Sequence, residues 1–249
     1  MAPGWLTARP IAHRGYHDAA EGRIENTLSA IRAALEHRFA IEVDLQLTGD
    51  GAVVVFHDET VDRLLDATGR VDSYSLAELR ALRFRGITKD HVPTLAELLE
   101  TVAGSVPLVL ELKSEFKGDR RLEAAVAPIL KAYPGAAVVM SFDPDSMAAM
   151  KHLAPAMPRG IVADRYTDLD DWGFLPASRR FTLRHLLDVP RVGAAFVSYD
   201  LKGLPSLAPS LVRSFGRPLI TWTVRTEADR AKARRVADQI TFEGFDPDA

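Results

Sequence analysis

The stretch "AIEVDLQLTGDGAVVVFHD", residues 40–58, decides how the chain is read. Its first half alternates. Ile41, Val43 and Leu45 fall on one face of an extended segment, and Glu42, Asp44 and Gln46 on the other, because successive strand side chains point to opposite sides. Two readings follow. On an outward-facing strand, Glu42 and Asp44 are surface charges in salt bridges. In a closed parallel barrel, the apolar set packs beneath surrounding helices, and the carboxylates point inward, where burial demands a partner.

The rest of the chain favours the barrel. Short runs rich in Val and Ile alternate with segments of helical period, the pattern of a parallel sheet. "PIAH" reads as a first strand, and "NTLSAIRAALEHR" as a helix with Leu28, Ile31, Ala34 and Leu35 on one face. Further strands are "PLVLELK", "AAVVMSF", "RGIVAD", "GAAFVSY", "PLITWTV" and "QITF". Between them lie helical segments such as "RRLEAAVAPILKAY", "DSMAAMKHLA", one around "TLRHLLDV", "SLAPSLVRSFG" and "TEADRAKARRVA". "TLAELLETVAG" opens with Thr94 and carries Glu97 three residues on, a capping box. Roughly eight βα units result, and 249 residues match the ~250 of a (β/α)8 TIM barrel. The expected fold is therefore α/β, one TIM-barrel domain over residues 1–249. A small insertion at about 59–92, after the second strand unit, breaks the repeat with turn residues and one weak helix, "SLAELRALR".

Composition narrows the function. The net charge is −3 with both signs dispersed, which argues against a bulk nucleic-acid or membrane-surface binder. There is no cysteine, so disulfides, thiolate metal sites and a cysteine nucleophile are excluded together. No apolar run approaches the ~20 residues of a membrane span, and the N-terminal "MAPGWLTARP" has no signal-peptide pattern. The expectation is a cytoplasmic protein with a small-molecule partner, of undefined oligomeric state.

In a TIM barrel the C-terminal strand ends converge on one site. Here they carry His13 and Arg14, then Glu42 and Asp44, His57 and Asp58, Glu111 and Lys113, and Trp222 with Arg225. Glu42, Asp44 and Glu111 turned into one mouth would repel each other unless a cation sat between them, and an all-oxygen set suits Mg2+ or Ca2+. His13 and His57 each end an apolar strand and are candidates for acid and base, since imidazole titrates near neutral pH. His37 and His152 lie in helices and carry no such signal. Arg14 is either a phosphate fork or a structural ion pair. Lys113 neutralises a second anionic oxygen or balances Glu111. Trp222 is a stacking wall for ligand or barrel core. Asn26 is placed to cap the first helix, with a side chain also able to reach the site. A cation, two histidines, an arginine and a lysine around one cavity describe metal-assisted attack on a phosphate ester. Neither a "GxSxG" nucleophile motif nor a glycine-rich nucleotide loop competes.

Taken in order, "AHRG" (12–15), "ENT" (25–27), "EVDLQLTGDG" (42–51), "VVFHDETVDR" (54–63), "TGRVDSYSLAELRAL", "VPTLAELL", "LVLELK" and "LITWTV" resemble the glycerophosphodiester phosphodiesterase family. The resemblance implies a TIM barrel with an insertion after the "HD" strand, and hydrolysis of glycerophosphodiesters to glycerol 3-phosphate and an alcohol. By position it implies Glu42, Asp44 and Glu111 as metal ligands and His13 and His57 as the acid–base pair. Arg14 and Lys113 would grip the phosphate, and Trp222 would lie against the glycerol. His17 falls outside the pattern and reads as a loop residue. Two departures stand out: Arg225 where the family has asparagine after "WTV", and "DQITFEGFDP" at the end, with Glu243 near an expected aspartate. Both are expected at the mouth, with Arg225 suggesting an anionic leaving group. Two other functions are carried forward. One is a lysophospholipase D, with Leu64, Leu65, Leu79, Leu82 and Phe84 of the insertion lining an acyl groove or merely packing it down. The other is a barrel that binds a phosphoester without turnover.

Overall fold

The computed structural model describes residues 2–86 and 88–249. The strands are β1 (Ile11–Ala12), β2 (Ala40–Leu47), β3 (Val53–Val55), β4 (Leu108–Leu112), β5 (Ala137–Ser141), β6 (Arg159–Ala163), β7 (Phe196–Asp200), β8 (Leu219–Val224) and β9 (Gln239–Phe242). The helices are α1 (Leu28–Glu36), α2 (Leu76–Ala81), α3 (Leu95–Val102), α4 (Arg121–Ala132), α5 (Pro144–Leu153), α6 (Leu169–Trp172), α7 (Ala177–Arg184), α8 (Val189–Val192), α9 (Leu207–Ser214) and α10 (Glu227–Val236). Eight strands run parallel in the order β1-β9-β8-β7-β6-β5-β4-β2, and pairing of β1 with β2 closes the ring. The ninth, β3, lies antiparallel on β2 with Leu45 opposite Val55. The molecule is a TIM barrel with helices between its strands. Among the described residues, no helix is long and apolar enough to cross a membrane.

Alternation along β2 does what the inward reading requires. Ile41, Val43 and Leu45 join a large apolar cluster with Leu95, Leu98, Val126 and Leu130 of the covering helices. Ala40 faces the other way, into a smaller cluster with Ile11, Val109, Val138, Val162, Phe196 and Ile220. That second cluster fills the barrel, and Leu6, on a 3-10 turn at Gly4–Thr7, packs into the same group. Along β2 and β4 the inward positions then change character: Ala40, Glu42, Asp44 on one strand and Val109, Glu111, Lys113 on the next. The barrel is apolar toward the strand starts and charged toward the strand ends. Gly160 on β6 leaves room for Phe196 within this interior, since a Cβ there would stand 2.4 Å from the phenyl ring.

The segment after β3 forms a core of its own. Leu65, Leu79 and Phe84 are buried with Val54, Phe56, Val61, Val71 and Val92, and Leu64 and Leu82 pack against them. These side chains are used in packing the insertion down and do not line a groove. Both expected helices there form: α3 has the Thr94–Glu97 capping box, and α2 has a second, Ser75–Glu78. The helix expected around "TLRHLLDV" differs. It starts earlier, at Ala177, and ends at Arg184, because Leu186 takes a left-handed conformation (φ 55°) before the chain restarts at α8 with Pro190 in its first turn.

Candidate active site

The end of β1 is folded around its own sequence. His13 continues the ladder, its N–H donating to the Phe242 carbonyl at 2.9 Å. Arg14 and Asn26 both adopt left-handed backbone conformations (φ 56° and 60°), and the Asn26 N–H donates to the Arg14 carbonyl at 2.9 Å. Gly15 follows at φ 80°, with the backbone of Ala30 in α1 only 2.9 Å from where a Cβ would be. This tight pair of turns presents the Arg14 N–H to Glu42 Oε2 at 3.1 Å.

Glu42, Asp44 and Glu111 come together as the inward reading requires. All three are buried, and each offers an oxygen within 4.8 Å of the others. Burial pushes the Glu42 carboxyl well above its ordinary range, and the charges of Asp44 and Glu111 push it further. Asp44 goes the other way: burial raises it, but His57, Lys113, Arg14 and the Asn26 amide together outweigh that and hold it ionised. Three convergent carboxylates with one destabilised by its neighbours are an all-oxygen donor set suited to a hard divalent cation. The residues fit such an ion.

The cations stand around this triad. Lys113 Nζ is 3.1 Å from Glu111 Oε1 and 3.5 Å from Asp44 Oδ1. Although burial lowers it, those two carboxylates raise the ammonium above its ordinary value. Arg14 Nη1 donates to Glu25 Oε1 at 2.6 Å, and its Nε stands 3.5 Å from Asp44 Oδ2. Asn26 caps no helix, since Thr27 holds that position. Its amide is buried and donates to Asp44 Oδ2 at 2.9 Å, so it sets a carboxylate in place and lies away from the cavity.

Each histidine has its own carboxylate. His13 Nδ1 meets Glu243 Oε2 at 2.7 Å, and His57 Nδ1 meets Asp58 Oδ1 at 2.7 Å. With ionised acceptors, both imidazoles carry the proton on Nδ1, and Nε2 makes no hydrogen bond among the described residues. His13 is pushed below its ordinary pKa by burial, against the opposing pull of Glu243. Asp58 is in turn gripped by Arg63, whose Nε donates to Oδ2 at 2.6 Å, and Arg63 also holds Glu25 at 2.7 and 2.8 Å. A continuous chain of charge therefore links Arg14, Glu25, Arg63, Asp58 and His57.

His13, Arg14, the three carboxylates, His57, Lys113 and Trp222 all line one cavity of about 1180 Å3 at the strand ends. Trp222 lies in its wall with the ring centroid 5.6 Å from that of Phe142. Sequence reasoning missed three parts of this arrangement. Glu243 is not a mouth residue: it is the partner of His13, and its far oxygen is paired with Arg225. Arg225 lines the cavity, as expected of a mouth residue, with its Nε paired to that carboxylate. His17 is more than a loop residue, since its Nε2 stands 3.6 Å from the same Glu243 oxygen. Arg63 and Glu25 were visible only as parts of "DETVDR" and "ENT".

Residues 13–241 match the model of the glycerophosphoryl diester phosphodiesterase family. A glycerophosphodiester phosphodiesterase of Caldanaerobacter subterraneus subsp. tengcongensis is 34% identical over 164 residues, which are 61% of this chain and 65% of that protein, just under two thirds of its length. One from Bacillus subtilis is 26% identical over 246 residues, 88% of this chain and 77% of that one. In fold, the chain is similar to an Oleispira antarctica phosphodiesterase solved with the product sn-glycerol-3-phosphate: TM-score 0.78, 24% identity, 96% of this chain and 94% of that one.

Proposed function

The chain belongs to the glycerophosphoryl diester phosphodiesterase family, and from that premise we propose that it hydrolyses glycerophosphodiesters to sn-glycerol 3-phosphate and an alcohol with the help of Mg2+ or Ca2+. One observation carries the reading: two imidazoles, each tied through Nδ1 to a carboxylate at 2.7 Å, share a cavity with a buried triad of carboxylates.

Glu42, Asp44 and Glu111 would hold the cation, which supplies positive charge to the non-bridging oxygens of the phosphodiester. Arg14 and Lys113 add fixed positive charge on the same wall. Both are held by carboxylates, so little reorganisation is needed as charge moves on the phosphate. Through their Nε2 atoms, one of His13 and His57, neutral, takes the proton of the attacking hydroxyl or water, and the other, entering as the imidazolium, gives its Nε2 proton to the departing alkoxide. Where the glycerol hydroxyl attacks, water then opens the cyclic phosphate with the two roles exchanged. Glu243 and Asp58 fix the tautomer and stabilise whichever imidazole becomes charged. Trp222 offers an apolar face for the glycerol. Asn26 serves the site by orienting Asp44. The whole acts as one catalytic domain, with the insertion at about 59–92 contributing Arg63 to the His57 side.

The test is release of glycerol 3-phosphate from a panel of glycerophosphodiesters, and of lysophosphatidate from lysophospholipids, by the purified protein. Release lost on adding EDTA, restored by Mg2+ or Ca2+, and absent in His13→Ala and His57→Ala supports the reading. No release from any member with either metal refutes it.

A further inference from the structure

Strand β2 carries one more polar residue on the side that holds Glu42 and Asp44. The alternation continues to Gln46, one strand period beyond the carboxylates. Gln46 is half-buried and does not line the large cavity. Its amide nitrogen donates two hydrogen bonds, to the Phe56 carbonyl at 2.9 Å and to the Asp58 carbonyl at 2.7 Å. Both partners only accept, so the NH2 end of the amide faces them, and each of its two hydrogens has an acceptor of its own.

The segment that Gln46 grips has little else to hold its main chain. The β2–β3 ladder ends with the Phe56 N–H donating to the Asp44 carbonyl at 3.0 Å, and main-chain bonding resumes at the Glu59 carbonyl, which accepts from the Val71 N–H at 3.0 Å. Among the described residues, the peptide groups of His57 and Asp58 make no hydrogen bond to other backbone. The Phe56 carbonyl belongs to the peptide entering His57, and the Asp58 carbonyl to the peptide leaving Asp58. One amide thus brackets the imidazole together with the carboxylate that meets it at 2.7 Å. Arg63 also anchors this pair, but through the Asp58 side chain and from a position whose own side chain is 48% exposed. Gln46 ties the backbone of the pair to the strand that bears two of the three triad carboxylates.

Resting on the phosphodiesterase reading, we propose that Gln46 is a positioning residue for His57, setting the imidazole at a fixed distance and direction from Glu42 and Asp44 without touching substrate. Once both donors are gone, only side-chain contacts tether the His57–Asp58 pair. A misplacement of about 1 Å costs on the order of 10^2-fold in rate.

The experiment centres on Gln46→Met, which keeps the length of the side chain and removes both donors. Its kcat for release of glycerol 3-phosphate should fall by about tenfold or more, with KM within about twofold, because no substrate contact is lost. In a His57→Ala background the same substitution should cost no more than about twofold, since residues that act as a unit are not additive. Ring-nitrogen NMR of the metal-free protein reads the relation without turnover. The His57 signals, identified by their loss in His57→Ala, should show one tautomer in the wild type and a mixture of both in Gln46→Met. Gln46→Asn, one methylene shorter and able to reach one carbonyl at most, should change both readouts in the same direction and serves if the methionine variant does not fold. Wild-type kcat in the Gln46 variants, an equal loss with and without His57, or unchanged His57 signals overturns the proposal and leaves the phosphodiesterase reading intact. Absence of all turnover in the wild type refutes that reading instead, and the NMR spectra then decide the role of Gln46 by themselves.

Discussion

Glu243→Gln is the most direct probe of how His13 is set for reaction. The substitution keeps the shape of the side chain and removes the charge that meets Nδ1 at 2.7 Å. Burial raises the Glu243 carboxyl, but His13, His17 and Arg225 outweigh it and hold the group far below its ordinary range, so the native partner is a carboxylate. A hydrogen bond to a charged group contributes about 1.5–3 kcal/mol and a neutral one about 0.5–1.5. Where His13 gains charge in the transition state, the amide therefore forfeits about 1.5 kcal/mol, or about tenfold in kcat. The loss is greater if the amide turns its N–H toward Nδ1 and reverses the tautomer, a change that costs up to about 10^4 in comparable carboxylate–imidazole pairs. Glu243 does not line the cavity, so KM should stay within about twofold. The assay is steady-state release of glycerol 3-phosphate at saturating metal, with a melting curve to confirm the fold. A variant with wild-type melting and kcat within twofold of wild type would show that Glu243 does not position His13 in the reaction.

Two further predictions concern stability. Metal binding to the buried triad should raise the melting temperature: at one hundred times Kd the gain is about 2.7 kcal/mol, which for a chain of this size is roughly 5–10 °C. Asp44→Asn combined with Glu111→Gln should abolish that rise, and a native melting curve indifferent to 10 mM Mg2+ and Ca2+ alike would count against the site. Glu97→Gln should lower stability by about 1 kcal/mol at neutral pH: the amide can still accept from the Thr94 N–H, but it loses the charge that faces His91, Arg80 and the N-terminus of α3. Burial raises the Glu97 carboxyl, but Thr94, His91 and Arg80 bring it down to about 2 from an ordinary 4.5. The unfolded chain thus binds the extra proton first, so stability rises with pH across that window. The gap between wild type and variant should be full above about pH 4.5 and close as pH falls toward 2. A gap constant from pH 7 to 2.5 in urea titrations would refute this assignment.

Much of the architecture was legible because it is written locally. The period-two alternation in β2 sorted Ile41, Val43 and Leu45 from Glu42 and Asp44, and one buried face is enough to fix which way each points. The i, i+2 spacing of Glu111 and Lys113 worked for the same reason. Capping boxes are four-residue signals and were read correctly at Thr94. What escaped was long-range or conformational. The contact of His13 with Glu243 joins residues 230 apart, and nothing in either segment announces the other. Asn26 could be read only as a cap or as a side chain reaching the site, because the left-handed backbone that turns its amide toward Asp44 leaves no trace in residue type. The short helix α6, which carries Trp172 into the cavity wall, has a single turn and no periodicity to detect.

The closing strand pair has a consequence for how the protein is made. Strand β1 is only two residues long and completes its pairing with β9, the last of the barrel strands in chain order. The Phe242 carbonyl that receives the His13 N–H and the carboxylate that receives its ring both come from the end of β9 and the residue after it. A ribosome-bound chain lacking them is an open sheet with a free edge beside His13. His13 precedes the other site residues in the chain and is thus the last to reach its working position, and no chain that stops short of β9 carries a finished site.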